Sequence, residues 1–426
     1  MNKKEYFCRF CNSGDLTLVI DFGEVALAGA FLKPDQFAEE EKYPLQICFC
    51  NNCYLLQIIN SVSPDILFRN YFYYSSAIAT LREHFKAYAG EVTARFLDPK
   101  KSTVVEFGCN DGVLLNPLYD KGIKTVIGVD PASNIIKAIN NPRIIVINDF
   151  FSEATAQKII SEYGHADLIV ANNVFAHIED MHDVTRGIHK LLAGDGVFIF
   201  EVHYLGNIIE ALQYDMIYHE HLYYYSLLAL DNFFNQFDME VFDVKKIPIH
   251  AGSMRYYVRK RGTLKKETVS QAVLDLRQDE LNNKYNRVET YLDYAYKVEE
   301  TKITLMRLLD QLKKDRKSIW GYGASGRANT IIQYCNIGTS HLDCIIDDAP
   351  AKHGFYTPGS HFPIVSRDLL DSNQPDYILA FAWSFIQEIL GKTMDYFNRG
   401  GKFIIPLPQV KIISQKDGHI TEDFPD

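Results

Sequence analysis

Between residues 66 and 260, apolar runs of strand length alternate with helix-length stretches, and this alternation leaves few folds open. A helical pattern from Thr80 to Leu97 precedes strand candidates Thr103 to Phe107, Thr125 to Val129, Ile144 to Ile147, Leu168 to Ala171 and Gly196 to Val202. Strands separated by helices pair in parallel, so the pattern predicts a doubly wound α/β sheet. Ligands of such sheets collect at the carboxyl ends of the strands. That rule places Gly108, Asp130, Asp149 and Asn172 on one rim.

At 426 residues the chain exceeds one ordinary core, and its sequence divides into segments 1–65, 66–260 and 261–426. The third segment opens with a charged helical stretch from Thr268 to Lys314. Ser318 to Trp320 then reads as a strand, Gly321-Tyr322-Gly323-Ala324-Ser325-Gly326 as a turn and Arg327 to Tyr334 as a helix. Further strand candidates are Leu342 to Ile346, Tyr377 to Phe381 and Lys402 to Ile405, giving a second, smaller Rossmann-like unit. The long helical stretch serves either as an intrachain connector or as a pairing surface, so a monomer or a homodimer is expected.

The first segment holds five of the eight cysteines. Cys8-Arg9-Phe10-Cys11 and Cys50-Asn51-Asn52-Cys53 are two C-x2-C knuckles flanking strand signals at Leu16 to Ile20 and Tyr43 to Phe49. Four thiolates so paired suit a closed, tetrahedral, structural zinc site, with Cys48 at the wrong offset. Through residue 60, five basic residues face eight acidic ones, and the whole chain carries a formal charge of −10. Affinity for phosphate backbones comes from clustered Lys and Arg, so no nucleic-acid partner is expected. The longest apolar runs are strand-sized, far below a membrane span, and no signal core follows Met1. A cytoplasmic protein is expected.

Glu106-Phe107-Gly108-Cys109-Asn110-Asp111-Gly112 sits where the first strand of the sheet turns toward a helix. Its glycines allow close backbone approach to a ligand. Asp130 lies about twenty residues further on, at the end of a second strand, where it can accept both hydroxyls of a ribose. Asn148-Asp149-Phe150 follows, placed to cradle an adenine. This order fits S-adenosylmethionine, and the tighter G-x-G-x-x-G spacing expected for NAD is missing from this loop. Glu106, Gly108, Asn110, Asp130, Asp149, Phe150 and Asn172 are the candidate donor-binding residues.

Tyr218-His219-Glu220-His221 packs four proton-handling or hydrogen-bonding side chains together. Methylating an oxygen or nitrogen needs one base or none, whereas methylating carbon needs a carbon acid deprotonated and its enolate held. A neutral imidazole, with an ordinary pKa of about 6.5, suits the first task, and a tyrosine hydroxyl or second imidazole the other. Alternatively the tetrapeptide begins a strand through Leu222-Tyr223-Tyr224-Tyr225, its histidines satisfied by neighbours. In a regular strand Tyr218 and Glu220 would face opposite to His219 and His221.

Several ordered motifs also resemble one family along essentially the whole chain. They are Tyr43-Pro44-Leu45, Tyr71-Phe72-Tyr73-Tyr74-Ser75-Ser76 with Arg82-Glu83-His84-Phe85, Glu106 to Gly112, Asn172 to His177, Tyr218 to His221, Gly252-Ser253-Met254-Arg255, Gly321-Tyr322-Gly323-Ala324 and Pro358-Gly359-Ser360-His361. With them the chain resembles the sugar C-methyltransferases acting on nucleotide-linked 4-keto-deoxysugars. The resemblance implies a small amino-terminal zinc domain, a class I Rossmann-like methyltransferase core, and a carboxyl-terminal Rossmann-like domain that helps hold the nucleotide sugar. It puts the general base on His221, with Tyr218, Glu220, His177 and Tyr73 around the sugar. Tyr71, His219, Arg327 and Asn329 are the further substrate-binding candidates. Where the family often carries a lysine after the third-domain turn, this chain has Arg327, whose planar fork can pair with a pyrophosphate. O-methylation of a sugar or small phenol is the alternative activity.

Overall fold

The computed structural model describes residues 6–69, 74–249, 251–263, 267–416 and 419–425. Two compact units emerge, each assembled from separate stretches of chain. The first comprises Met1–Thr17, Cys48–Gly206 and Leu222–Val288, and the second Leu18–Ile47, Asn207–His221 and Glu289–Asp426.

The first unit is built on a seven-stranded sheet. Its spatial order is Met239–Ile247, Ser253–Lys260, Leu192–His203, Ala166–Asn172, Thr103–Phe107, Thr125–Val129, Ile145–Ile147. The last five of these strands are mutually parallel, and the first two pair antiparallel. Thr103–Phe107 is buried at every position, as expected of a parallel strand covered on both faces, and its one charged residue, Glu106, stands next to its carboxyl end. Helix Ala79–Phe96 presents Leu81, Phe85, Tyr88, Ala89 and Val92 to one face, onto Val104, Val170, Ile199 and Tyr257. A well-buried Leu, Val or Phe contributes about 1.5–3 kcal/mol there. Strand order reverses between Thr103–Phe107 and Ala166–Asn172, and this switch point opens a crevice at the carboxyl ends.

The second unit carries another seven-stranded sheet: Ile364–Val365, Ile345–Ile346, Ile319–Tyr322, Tyr377–Ala380, Lys402–Ile405, Lys411–Lys416, His419–Asp423. Five parallel strands end in an antiparallel hairpin. Trp320, Tyr322, Ile346, Ile378, Ala380, Phe403 and Ile405 line one face, under Leu390, Tyr396 and Phe397.

One expectation is corrected and one alternative is set aside. The stretch from Thr268 to Lys314 is not one helix but two, Gln271–Asn282 and Val288–Lys314. Lys284 adopts a left-handed φ of 58°, and the amide of Tyr285 closes back on the carbonyl of Glu280, which ends the first helix. Tyr218 to His221 is not the start of a strand either. It forms a turn closed by the His221 amide on the Tyr218 carbonyl at 2.9 Å, and pairing begins at Tyr223–Tyr224.

Candidate active site

In each cysteine knuckle the chain reverses through a tight turn. The amide of Asn12 donates to the carbonyl of Cys8 and that of Tyr54 to the carbonyl of Cys50, with Asn12 and Tyr54 left-handed at φ 56° and 68°. The sulfurs of Cys8 and Cys53 lie 3.5 Å apart, those of Cys11 and Cys50 3.6 Å, and all four fall within 4.8 Å of one another. A tetrahedron with Zn–S bonds of about 2.3 Å has sulfurs separated by about 3.8 Å, so the donor set fits zinc. Hydrogen bonds from Cys50 and then Cys53 lower the Cys8 thiol, toward the thiolate that zinc takes. Cys48 lies outside this group. Phe10, inside the first knuckle, stacks on Phe233 at 4.1 Å, and its carbonyl accepts from His182 Nε2 and Gln236 Nε2. The site thus braces the sheet-bearing unit from within.

The glycine loop occupies the switch-point crevice. Gly108 has φ +66°, and a Cβ there would come 2.1 Å from Val174 Cγ2. Asn110 is also left-handed, at φ 50°, and its amide donates to Asp130 Oδ2 at 2.8 Å. The other Asp130 oxygen accepts from the Ala132 amide at 2.8 Å, which holds the carboxylate rigidly at the strand end. Asn172 Nδ2 donates to Glu106 Oε1 at 3.2 Å. Glu106 Oε2, Asp111 Oδ1 and Asn172 Oδ1 are buried without a hydrogen-bond partner. Burial pushes the Glu106 carboxyl well above its ordinary range, with Asp130 and Asp111 adding to the rise, and burial also raises Asp130. Orphaned acceptors so placed call for a ligand that brings donors and positive charge, and a sulfonium amino acid with a ribose does both. The fit to S-adenosylmethionine is therefore good.

Asn148 reaches back from the next strand end, its Nδ2 on the Asp130 carbonyl at 2.9 Å. Asp149 Oδ1 accepts from the Phe150 amide, and the Arg69 guanidinium lies 4.9 Å from the Phe150 ring centre. Ser75 and Ser76 donate their amides to Asn110 Oδ1 and Asp111 Oδ2, both at 3.0 Å, so the segment before helix Ala79–Phe96 also grips the loop. Gly108→Ala would meet both the φ restriction and the Val174 clash. It is expected to raise the S-adenosylmethionine dissociation constant by about tenfold or more. Titration calorimetry reads this directly, and unchanged affinity would contradict the placement of the donor.

One polar cluster was not legible as a site, although two of its members lie in quoted motifs. Asn172 pairs with Glu201 and Glu201 with Arg255 across neighbouring strands, so the sheet face that is apolar at Val170 and Ile199 turns polar at its carboxyl end. Glu201 is fully buried, with His84 Nε2 at 2.8 Å and Arg255 Nε at 2.6 Å, and Arg255 lies 3.5 Å over the Tyr88 ring. Three residues so far apart in sequence show no spacing signal; only the cross-strand register reveals them.

In the second unit, His221 Nδ1 lies 2.7 Å from the carbonyl oxygen of Met216. A carbonyl only accepts, so Nδ1 carries the proton and Nε2 the lone pair in the neutral ring. The Tyr218 and His221 rings sit 4.0 Å apart, and Glu220 Oε1 lies 3.5 Å from where a Cβ on Gly29 would stand. His219 is buried, with Nε2 on the Pro44 carbonyl at 3.2 Å, and desolvation lowers its pKa. Asn329 is also buried, its Nδ2 on the Ala26 carbonyl at 3.4 Å. Arg327 Nε donates to Asp215 Oδ2 at 2.8 Å. His177 belongs to the first unit, half-buried and stacked on Phe68 at 5.6 Å. Tyr71 and Tyr73 lie outside the described residues. No helix among the described residues is long and apolar enough to cross a membrane.

Comparison with known proteins agrees with this reading in all three segments. Family models match as a zinc binding domain over residues 8–68, a methyltransferase domain over 81–244 and a C-methyltransferase C-terminal domain over 248–408. The C-methyltransferase NovU of Streptomyces niveus is 31% identical over 408 residues, 96% of either chain. Among solved structures, the CcbJ methyltransferase from Streptomyces caelestis aligns with 41% of this chain and 89% of its own at 14% identity and a TM-score of 0.33. Magnesium protoporphyrin IX methyltransferase from Synechocystis aligns with 42% and 81% at 14% identity and a TM-score of 0.32. Likenesses at that level carry no argument about this chain. With the full-length relative and all three domain matches in register, the chain belongs to the zinc-containing, S-adenosylmethionine-dependent C-methyltransferases that act on nucleotide-linked 4-keto-deoxysugars.

Proposed function

We propose that the chain methylates the carbon beside the ketone, C3 or C5 of a nucleotide-linked 4-keto-deoxysugar, with His221 as the general base. The observation that carries this reading is the 2.7 Å contact of His221 Nδ1 with the Met216 carbonyl, which keeps the lone pair on Nε2. His221 Nε2 removes the proton beside the ketone, and charge moves onto the ketone oxygen. Donors aimed at that oxygen are worth about 2.7–4 kcal/mol each in comparable sites. Tyr218 and His177 are proposed for that task, with Glu220 and Tyr73 beside the sugar and Tyr71, His219 and Asn329 as further contacts to the acceptor. Bound along Glu106, Gly108, Asn110, Asp130, Asp149, Phe150 and Asn172, S-adenosylmethionine supplies the electrophilic methyl that the deprotonated carbon takes up. Cys8, Cys11, Cys50 and Cys53 hold a structural zinc in a closed four-sulfur shell.

The three segments 1–65, 66–260 and 261–426 are proposed as the zinc, donor and sugar-nucleotide modules. A monomer or a homodimer is proposed: helix Val288–Lys314 buries Tyr291, Tyr294, Val298, Leu305, Leu309 and Leu312 within the chain, while Leu292, Tyr296 and Ile303 on the same helix stay exposed.

Proton removal can be followed without methyl transfer. In D2O, with S-adenosylhomocysteine in place of the donor, the protein is expected to catalyse deuterium entry at one carbon next to the ketone of a nucleotide-linked 4-keto-6-deoxysugar. Absence of enzyme-dependent exchange at both carbons, with the acceptor shown to bind, would contradict the carbanion route and favour O-methylation.

A further inference from the structure

The sequence offers Arg327 as a pyrophosphate ligand, yet its side chain is already engaged inside the second unit. Helix Gly326–Tyr334 begins with Ser325, whose hydroxyl accepts from the Ala328 amide, and Arg327 follows in the first turn. The guanidinium Nε and a terminal nitrogen both lie 2.8 Å from Asp215 Oδ2. Trp383 Nε1 donates to the same oxygen at 2.9 Å, and its ring lies 5.1 Å from the guanidinium carbon. Asp215 is fully buried. A carboxylate in that position is stable as an anion only with its cation in place, so the pair acts as one part.

Asp215 belongs to a single 3-10 turn, Tyr214–Met216. The same helix holds this turn at two more points. Thr330 Oγ1 donates to the Ile217 carbonyl at 3.1 Å, and the Tyr214 hydroxyl meets Cys335 Sγ, just past the helix end, at 3.4 Å. The residue between these anchors, Met216, presents the carbonyl that receives His221 Nδ1–H. A Cβ on Gly326 would lie 3.4 Å from the Tyr218 ring, so the helix start also packs closely on the tetrapeptide.

We propose that Arg327, Asp215 and Trp383 form a positioning device for the base: they fix the turn whose Met216 carbonyl sets the tautomer and direction of His221. Arg327 is then a positioning residue and not the ligand of the substrate pyrophosphate. This rests on the reading of His221 as the base.

The test compares Arg327→Ala and Asp215→Asn with the unaltered protein, each checked for folding by thermal melting. Steady-state kinetics would be measured with a nucleotide-linked 4-keto-6-deoxysugar, deuterium entry beside the ketone by proton NMR, and dissociation constants for S-adenosylmethionine, thymidine diphosphate and uridine diphosphate by calorimetry. Misdirecting a base by about 1 Å costs about 100-fold. Both variants are expected to lose about that factor in kcat and in deuterium entry alike, with KM and the dissociation constants of the donor and the diphosphate that binds near those of the parent. Guanidinium ion added to Arg327→Ala is expected to restore part of kcat. Weaker diphosphate binding and a raised KM at unchanged kcat would overturn the proposal and return Arg327 to the substrate. Unchanged kcat and exchange in Asp215→Asn would overturn it too, even if Arg327→Ala does not fold. A His221→Asn protein that still exchanges deuterium would instead remove the reading of His221 on which the device depends.

Discussion

His221→Asn is expected to lower kcat by about 10²–10⁴-fold, the usual span for loss of a general base, while S-adenosylmethionine binding stays intact. Asparagine is the informative replacement. Its amide nitrogen can take over the role of Nδ1 on the Met216 carbonyl, 2.7 Å from the ring in the parent, so the turn keeps its hydrogen bond. What asparagine lacks is a basic atom at the position of Nε2. Donor binding should be unaffected because the loop at Gly108 and the carboxylate of Asp130 are held by their own contacts, Asn110 amide to Asp130 among them. Deuterium entry beside the ketone should fall in step with turnover, since both need the same proton removed. A variant that turns over normally would contradict the assignment of the base.

The second large effect concerns the metal. Structural zinc contributes about 10–16 kcal/mol to folding in isolated zinc modules, as much as the whole stability of many domains. Here the knuckles also carry Phe10, sandwiched against Phe233 and Tyr223, and the carbonyl that accepts from His182. Replacing Cys11 or Cys50 by Ser is therefore expected to abolish stoichiometric zinc and to lower the melting temperature sharply, with activity lost through the fold. Zinc released by a thiol reagent and read with a chromophoric chelator should come to one ion per chain. Because the ion has a closed four-sulfur shell, cobalt substitution should give a tetrahedral thiolate spectrum and preserve turnover. A folded cobalt protein without activity would contradict a purely structural ion.

The parts of this molecule that could be read from sequence are those whose physics is local. Thr103–Phe107 and Thr125–Val129 match their expected limits because a parallel strand covered on both faces is predominantly apolar, and the glycine loop follows directly on the first of them. The cysteine knuckles are equally local. The antiparallel strands Met239–Ile247 and Ser253–Lys260 were harder to see, since the first is interrupted by Glu240, Asp243, Lys245 and Lys246 and bulges between Val241 and Asp243. The strand expected over Leu342 to Ile346 shrinks to Ile345–Ile346, the two residues that pair with both neighbouring strands.

At the site, a regular strand would have made Tyr218 and His221 face apart. Instead the segment turns, and their rings lie 4.0 Å from each other. That turn depends on Met216, Asp215 and Arg327, the last 112 residues away in sequence from its partner. The polar row of Glu201, His84 and Arg255 likewise exists only through strand register and one helix face. No periodicity encodes such pairings; they appear once the chain is folded.

The most direct measurement is to react the protein with methyl-carbon-13 S-adenosylmethionine and a panel of nucleotide-linked 4-keto-6-deoxysugars, then locate the label by carbon NMR. A C-methyl on the carbon beside the ketone is the expected result. A methoxy signal, or label in no acceptor while the donor binds, would contradict the account.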